Sequence, residues 1–127
     1  MVKAEKKYTD ALRRIVEKTD YVFTIKNLRM TGDFVDPWYD FESMKRAISN
    51  CPSEHKTALL LLHMGVPANR AALEGEIGVQ ETALMIEGGI WHGDGETVCT
   101  NNYVLLLYQG LLLLTEINPW YETCTNR

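Results

Sequence analysis

The chain has 127 residues, of which 46% are hydrophobic and 24% are charged, and these proportions are typical of one globular domain. Its formal net charge is −4 and its pI is about 5.3, which argues against nucleic acid as the default partner. The sequence has neither the long apolar run of a membrane span nor the apolar core of a signal peptide. We therefore expect a cytoplasmic protein with no membrane partner.

The first predicted element is a helix over Thr9–Lys18, because apolar residues recur there at helical spacing along one face. The lysines before it, at positions 3, 6 and 7, are expected to be a frayed and solvated end. Residues Asp20–Met30 fit either a strand or a helix, since periodicity alone does not decide short apolar runs. We expect a short helix.

Residues 32–41 read GDFVDPWYDF and combine turn-forming residues, three carboxylates and four aromatic rings. One interpretation is an acidic-aromatic patch, including Trp38 and Tyr39, that docks a protein partner. The other is a capped loop whose rings fill the core, as aromatic side chains usually do. A helix is expected from Pro37 to about Ser49, since proline suits the first helical position.

The next predicted helix starts with Ser53 as its N-cap and ends at Gly65. Its four consecutive leucines, Leu59–Leu62, cannot share one helix face. A helix that is apolar most of the way round is a buried one, so we expect this helix to lie at the centre of the domain.

The stretch Val66–Thr115 predicts a helix, a turn, a second helix and tight hairpins, which is the pattern of a winged-helix unit. Pro67 opens the first helix, Gly75 and Gly78 mark the turn, and the second helix covers Val79–Glu87. Strands are expected at 90–92, 97–100, 103–108 and 111–115, separated by turn residues.

These elements predict an α+β fold, with a mostly helical N-terminal part followed by a small antiparallel β-sheet. We expect a single domain over residues 1–127. Its helical part covers about 1–65, the helix-turn-helix and wing cover about 66–115, and residues 116–127 form a C-terminal arm.

The last two strands do not alternate between apolar and polar residues, because Val104–Leu107 and Leu111–Leu114 are apolar throughout. A strand with one face in water should alternate, so both faces are predicted to be buried. One face can pack on the domain's own helices, and the other needs a cover: the N-terminal helices, a second copy or another domain. The residues expected to bind a protein partner are Leu106, Tyr108 and Leu112 of these strands, and Trp38 and Tyr39.

The sequence contains no CxxC, HxxxH, HExxH, GxGxxG or P-loop pattern, so we expect no catalytic residue, no metal and no cofactor. Cys99 and His92 on neighbouring strands could form a nucleophilic pair, but a free cysteine is most often a small buried hydrophobe. With Cys51 and Cys124, Cys99 is expected to be a reduced thiol.

The second helix of the helix-turn-helix carries two glutamates and no lysine or arginine, and the wing tip, Gly93 to Glu96, is acidic as well. A helix that reads DNA needs basic neighbours to contact phosphates. The sequence therefore disfavours DNA recognition, and a winged-helix transcription regulator, as a monomer or a homodimer, remains the alternative function.

Between Leu59 and Thr115 the apolar residues and glycines follow a recognisable order. The positions are Leu59 to Gly65, Val66-Pro67, Leu73, Gly78, Leu84, Gly88-Gly89-Ile90, Asp94-Gly95 and Tyr108 to Leu113. This pattern, over a little under half of the chain, resembles the N-terminal winged-helix-like accessory domain of some bacterial class I S-adenosylmethionine-dependent methyltransferases.

In that family the catalytic domain follows, with a glycine-rich cofactor loop after its first strand, whereas this chain ends at Arg127 before any such strand. The resemblance implies a non-catalytic domain that docks on a methyltransferase-type enzyme or presents substrate to it. Such a domain is either a stand-alone partner or part of a larger polypeptide.

Overall fold

A computed structural model of the chain describes residues 2–31, 41–108 and 111–116. In these ranges the fold is α+β as predicted, with helices first and small antiparallel sheets after them. The helices are α1 (Lys6–Lys18), α2 (Tyr21–Thr31), α3 (Phe41–Asn50), α4 (Lys56–Leu59), α5 (Arg70–Ile77) and α6 (Val79–Glu87). The strands are β1 (Ala68–Asn69), β2 (Trp91–Asp94), β3 (Thr97–Thr100), β4 (Tyr103–Tyr108) and β5 (Leu111–Glu116). None of the helices in the described ranges has the length and apolar character needed to cross a membrane.

The N-terminal lysines are exposed to solvent as expected, but the expectation that they are a frayed end was wrong. The backbone N–H of Lys3 donates to the carbonyl of Gly88 at 2.8 Å, and Lys6 and Lys7 lie in the first turn of α1. The ammonium of Lys6 lies 2.9 Å from a carboxylate oxygen of Asp10, one turn further on. Helix α1 therefore starts three residues earlier than the apolar pattern indicated, on charged residues that face solvent.

The ambiguous segment after α1 is a helix, as expected. Tyr21 and Ile25, one helical turn apart, are both fully buried, and this spacing puts them on one helix face. Asp20 joins α1 to α2 with a φ of 53°, a left-handed conformation that aspartate tolerates better than most residues.

The leucine-rich helix is central and buried, but it is shorter than expected and changes its winding. Ser53 does not cap it: its hydroxyl accepts a bond from the N–H of His55 at 3.0 Å in a local turn, and α4 starts at Lys56. The helix then continues as a π-helical turn over Leu60–Met64 and ends at Gly65 with a φ of 72°. A left-handed glycine is a common helix stop.

A two-residue strand replaces the start of the helix expected at Pro67. Ala68 and Asn69 form β1, and Ala68 lies opposite Val98 of β3. Helix α5 begins only at Arg70, where the side chain of Asn69 accepts a hydrogen bond from the N–H of Ala72 at 2.9 Å. The strand was not predicted because two residues are too few for any periodic pattern.

The strands form two separate sheets in the described residues. One has the order β1-β3-β2, and the other is the hairpin β4–β5. Only Gly78, with a φ of 101°, separates α5 from α6. The core includes side chains of all these parts, among them the fully buried Tyr21, Leu61, Trp91 and Leu105.

Candidate protein interface

The hairpin of β4 and β5, which we call the leucine hairpin (103–108 and 111–116), has a regular register. Leu105 pairs with Leu114, Leu106 with Leu113, and the remaining pairs run from Tyr103↔Glu116 to Tyr108↔Leu111. Opposite residues of an antiparallel pair project to the same face, and successive residues alternate between faces. The register therefore divides the leucines into two sets.

The inner face of the leucine hairpin belongs to the core of the domain. Leu105 and Leu107 are 2% and 7% exposed, and the half-buried Leu114 packs against the same cluster. Because these three side chains pack in the core of the chain itself, the part of the inner face that they form is not available to a partner.

The outer face of the leucine hairpin is only partly covered. Leu106 is half-buried, and Leu113 directly opposite it is 44% exposed. Val104 on the same face is buried. One face therefore packs on the chain's own helices, as expected, whereas in this single chain the outer face presents Leu106 and Leu113 to solvent. A cover from a second copy or another domain remains a prediction.

Of the five predicted partner-binding residues, the structure describes the side chains of Leu106 and Leu112, and it places them on different faces of the hairpin. Leu106 lies on the outer face, whereas Leu112 pairs with Leu107 and so belongs to the inner side, where it is still 38% exposed. Tyr108 ends β4 with its backbone paired to Leu111, and its side chain is outside the described part. Trp38 and Tyr39 also lie outside the described residues. Leu113 was not predicted as a partner-binding residue, because alternation can place it on the outer face only once the inward-facing residues are known.

A buried hydrogen bond from α2 occupies the edge of β4 that points away from β5. The hydroxyl of Tyr21 in α2 donates to the carbonyl oxygen of Leu105 at 3.0 Å. Its oxygen also lies 2.7 Å from Nδ1 of His63 in the π-helical turn. Since the phenol has one proton and gives it to Leu105, the His63 Nδ1–H must be the donor in the second bond.

Helix α1 covers one side of α6, the second helix of the predicted helix-turn-helix. Arg14 binds Glu81 through two hydrogen bonds of 2.6 and 2.8 Å. The hydroxyl of Tyr8 donates to Glu87 at 2.9 Å, and Lys7 lies 3.4 Å from the same carboxylate oxygen. Arg14 and Lys7 of α1 are thus paired with carboxylates of α6.

These contacts lower the pKa values of both carboxyl groups, Glu81 and Glu87. The hydrogen bond from Arg14 lowers the pKa of Glu81, and the hydrogen bond from Tyr8, followed by the charge of Lys7, lowers the pKa of Glu87. A carboxyl whose pKa falls on folding stabilises the fold above its unfolded pKa, and that contribution is lost as the pH falls through the folded value. The contact between α1 and α6 should therefore weaken in acid.

Gly88→Ala is expected to lower the free energy of unfolding by about 1–3 kcal/mol, as other additions to packed sites do. A Cβ at Gly88 would lie 2.8 Å from Cγ of the Tyr8 ring, which rests on the end of α6. The control is Gly75→Ala in α5, where no atom lies within 4 Å of the added carbon and a gain of about 0.4–1 kcal/mol is expected. Urea unfolding of both variants measures the difference, and equal stabilities would show that Tyr8 moves aside freely.

The pair of Cys99 and His92 is adjacent, as the sequence indicated, but it is not a thiol and a base. His92 lies opposite Cys99 in the register, and Cys99 is disulfide-bonded, with a partner outside the described residues. The expectation of reduced cysteines was wrong here, because chain spacing does not show which sulfurs meet in the fold. A sulfur held in a disulfide is not a thiolate nucleophile, whereas Cys51 is a free, buried thiol.

His92 has a structural role in the wing. Its Nδ1 lies 2.6 Å from the side-chain oxygen of Asn101. The amide nitrogen of Asn101 donates to the carbonyls of Gly89 and Trp91, which fixes the oxygen as the acceptor and so makes His92 Nδ1–H the donor. These bonds connect the end of α6, β2 and the turn before β4.

An open groove of about 300 Å³ lies between the end of α1, the start of α2 and residues 51–55. The exposed ring of Phe23 stands at this groove, together with Leu28, Lys18, Asp20 and Glu54. The lining mixes apolar side chains with both signs of charge, so it singles out no ligand chemistry.

Among the described residues, no three His, Cys, Asp or Glu side chains are close enough to hold a metal ion. The chain as a whole matches no protein-family model, no curated protein and no solved structure.

Proposed function

We propose that the chain is a non-catalytic, winged-helix-like accessory domain that docks on a methyltransferase-type enzyme or presents substrate to it. The outer face of the leucine hairpin carries this proposal. There Leu106 and the 44% exposed Leu113 form an apolar pair on a sheet whose inner face is held in the core. Adjoining apolar side chains that are exposed to solvent are typical of a protein-docking site.

The order of the elements supports the winged-helix part of the proposal. A central helix, the short β1, the helices α5 and α6, and the hairpin β2–β3 follow one another, and β3 lies between β1 and β2 in the sheet. Gly78 connects α5 directly to α6, so the two helices are consecutive as in a helix-turn-helix, but the connection is shorter than the usual turn of about three to four residues.

The methyltransferase part of the proposal rests on the resemblance between residues 59 and 115. Its glycines occur at ends of elements: Gly65 stops the π-helical turn, Gly78 separates α5 from α6, and Gly95 begins the turn between β2 and β3. These are positions at which a shared fold constrains the sequence, so they support common architecture more than common chemistry.

The alternative, a DNA-binding regulator, has the same connectivity but unsuitable charges. The free side of α6 presents Val79, which is 65% exposed, and Gln80 and Ala83. No lysine or arginine occurs in α6, and Arg14 beside it is bound to Glu81. Helix α6 itself therefore offers no cation to the phosphate groups, whose neutralisation supplies most non-specific affinity for DNA.

Leu106→Asp tests the proposal, because it places a charge in the centre of the outer face. We expect the tagged wild-type chain to retain a methyltransferase, or its substrate protein, at stoichiometric yield from native lysate. The variant should bind that protein at least about tenfold more weakly, a loss of about 1.4 kcal/mol. Mass spectrometry identifies the retained protein, and titration calorimetry with the purified partner measures affinity.

Two controls make the result specific. Val79→Asp adds the same charge at an exposed apolar residue of α6 and should leave partner binding unchanged. Leu113→Ser removes apolar surface from the outer face without adding a charge, and it replaces Leu106→Asp in the binding measurement if that variant is unstable. If a folded Leu106→Asp variant binds the partner as well as the wild type does, the outer face is not the docking site. If the chain binds random duplex DNA in a salt-sensitive way and Val79→Asp abolishes that binding, the result favours the DNA-binding regulator.

A further inference from the structure

The edges of the leucine hairpin are defined by one hydrogen bond. The carbonyl of Leu105 accepts from Tyr21 and therefore points away from β5. In an antiparallel pair, opposite residues alternate between those that exchange hydrogen bonds and those that point outward. Leu105↔Leu114 is thus an outward-pointing pair, and so are the pairs two residues away, Leu107↔Leu112 and Tyr103↔Glu116.

The outward N–H and C=O groups of β5 belong to Leu112, Leu114 and Glu116. Within residues 2–31, 41–108 and 111–116 no hydrogen-bond partner meets them, and β4 is the only strand beside β5 there. Unpaired donors and acceptors along an extended strand form a template for another strand. The chemistry of this edge therefore selects a β-strand as its occupant.

The sequence of β5 contains none of the usual protections of an open edge. It reads LLLLTE, without proline or lysine, and its one charged residue is the terminal Glu116. Natural edges commonly carry such residues, or a covering segment, to prevent pairing between molecules. An uncharged leucine edge with Leu112 and Leu113 exposed is suited to pairing.

The opposite edge of the same hairpin is closed. Tyr21 in α2 occupies the outward carbonyl of Leu105 on β4, so a second strand cannot add there. A hairpin with a single open edge forms a closed pair with a copy of itself, whereas two open edges would propagate into a fibre.

We propose that β5 pairs antiparallel with β5 of a second copy of this chain, giving a homodimer with a four-stranded intermolecular sheet. A two-fold axis near Leu114 satisfies both edges with the same groups. It also places the two Glu116 carboxylates at opposite ends of the pair, whereas parallel pairing would place them side by side. Charge and symmetry thus favour a second copy in this orientation.

The proposal concerns the strand edge and is independent of the proposed docking on the outer face. If both hold, the dimer joins the Leu106–Leu113 pairs of two copies into one wider apolar surface. Either proposal can be wrong while the other holds, because dimerisation depends on backbone groups of the β5 edge and docking depends on side chains of the outer face.

Sedimentation velocity of the full chain with Leu112→Pro tests the dimer. Proline removes an outward N–H that no bond within the hairpin uses, and its φ is compatible with an edge strand. The wild type should sediment as a pair of 14.5 kDa chains, and Leu112→Pro should need at least about tenfold higher concentration to associate. Leu112→Thr, which keeps the N–H, should still dimerise.

Amide hydrogen exchange of the wild type gives a second readout that needs no variant. The N–H groups of Leu112 and Leu114 should exchange more slowly as protein concentration rises, whereas that of Leu113, bonded within the hairpin, should not respond. Added salt should strengthen the dimer, because it screens two chains of net charge −4. A wild type that stays monomeric, a folded Leu112→Pro variant that dimerises normally, or a ladder of higher oligomers would overturn the proposal.

Discussion

Leu105→Ala is expected to lower the free energy of unfolding by roughly 2–5 kcal/mol, the usual cost of truncating a buried leucine. Leu105 is 2% exposed and lies in the main core cluster, so the removed methyl groups leave a cavity that rigid neighbours fill only in part. Chemical denaturation monitored by tryptophan fluorescence measures the loss, since Trp91 is buried in the same cluster.

The matched control is Leu113→Ala, the same truncation one strand away and on the other face. Leu113 is 44% exposed, and surface substitutions usually change stability by less than about 0.5 kcal/mol. Partner affinity should show the reverse order, with Leu113→Ala the more harmful of the two in a folded protein. Equal destabilisation by both variants would show that the outer face is core as well, and the proposed interface would be withdrawn.

Tyr21→Phe is expected to have the second largest effect, although it removes a single oxygen atom. The change leaves the carbonyl of Leu105 and Nδ1 of His63 without the hydroxyl that contacts them at 3.0 and 2.7 Å. A buried polar group left unsatisfied costs about 1–3 kcal/mol, and two groups are affected. Thermal unfolding should therefore show a clearly lower Tm.

Tyr103→Phe supplies the control for Tyr21→Phe. Tyr103 lies in the same hairpin and is half-buried, but the described residues place no hydrogen-bond partner at its hydroxyl. Its loss should change stability by less than about 0.5 kcal/mol. If both phenylalanine variants have the same Tm as the wild type, the hydrogen bonds of Tyr21 make no net contribution to stability.

The fold could be predicted best where local signals agree. Helix α6 has its predicted bounds because glycines stand at both ends, and β3 and β4 follow their turn residues. The strand β1 and the π-helical turn at Leu60 were missed, because each depends on packing against distant segments and leaves no local period.

The candidate site could be predicted only as a segment, not as a surface. Every position of β4 and β5 from Val104 to Leu107 and from Leu111 to Leu114 is apolar, so alternation carries no information on which residues face inward. That choice is made by packing against helices distant in the chain, since Leu105, Leu107 and Leu114 join one core cluster with residues such as Tyr21 and Leu61. Sequence reasoning therefore grouped Leu106 with Leu112, which the register puts on opposite faces.

The contact between α1 and α6 has a consequence for how the chain folds during synthesis. Tyr8 and Glu87 are 79 residues apart, and Arg14 and Glu81 are 67 apart. Contacts of such high contact order form late, and at about 5–20 residues per second a ribosome needs roughly 4–16 s to make the intervening chain. Throughout that interval α1 can pack against α2 but not against α6, so the side of α1 that contacts α6 in the folded chain stays exposed. Nascent chains of this protein should therefore be substrates for chaperones that recognise exposed amphipathic helices, until α6 has left the exit tunnel.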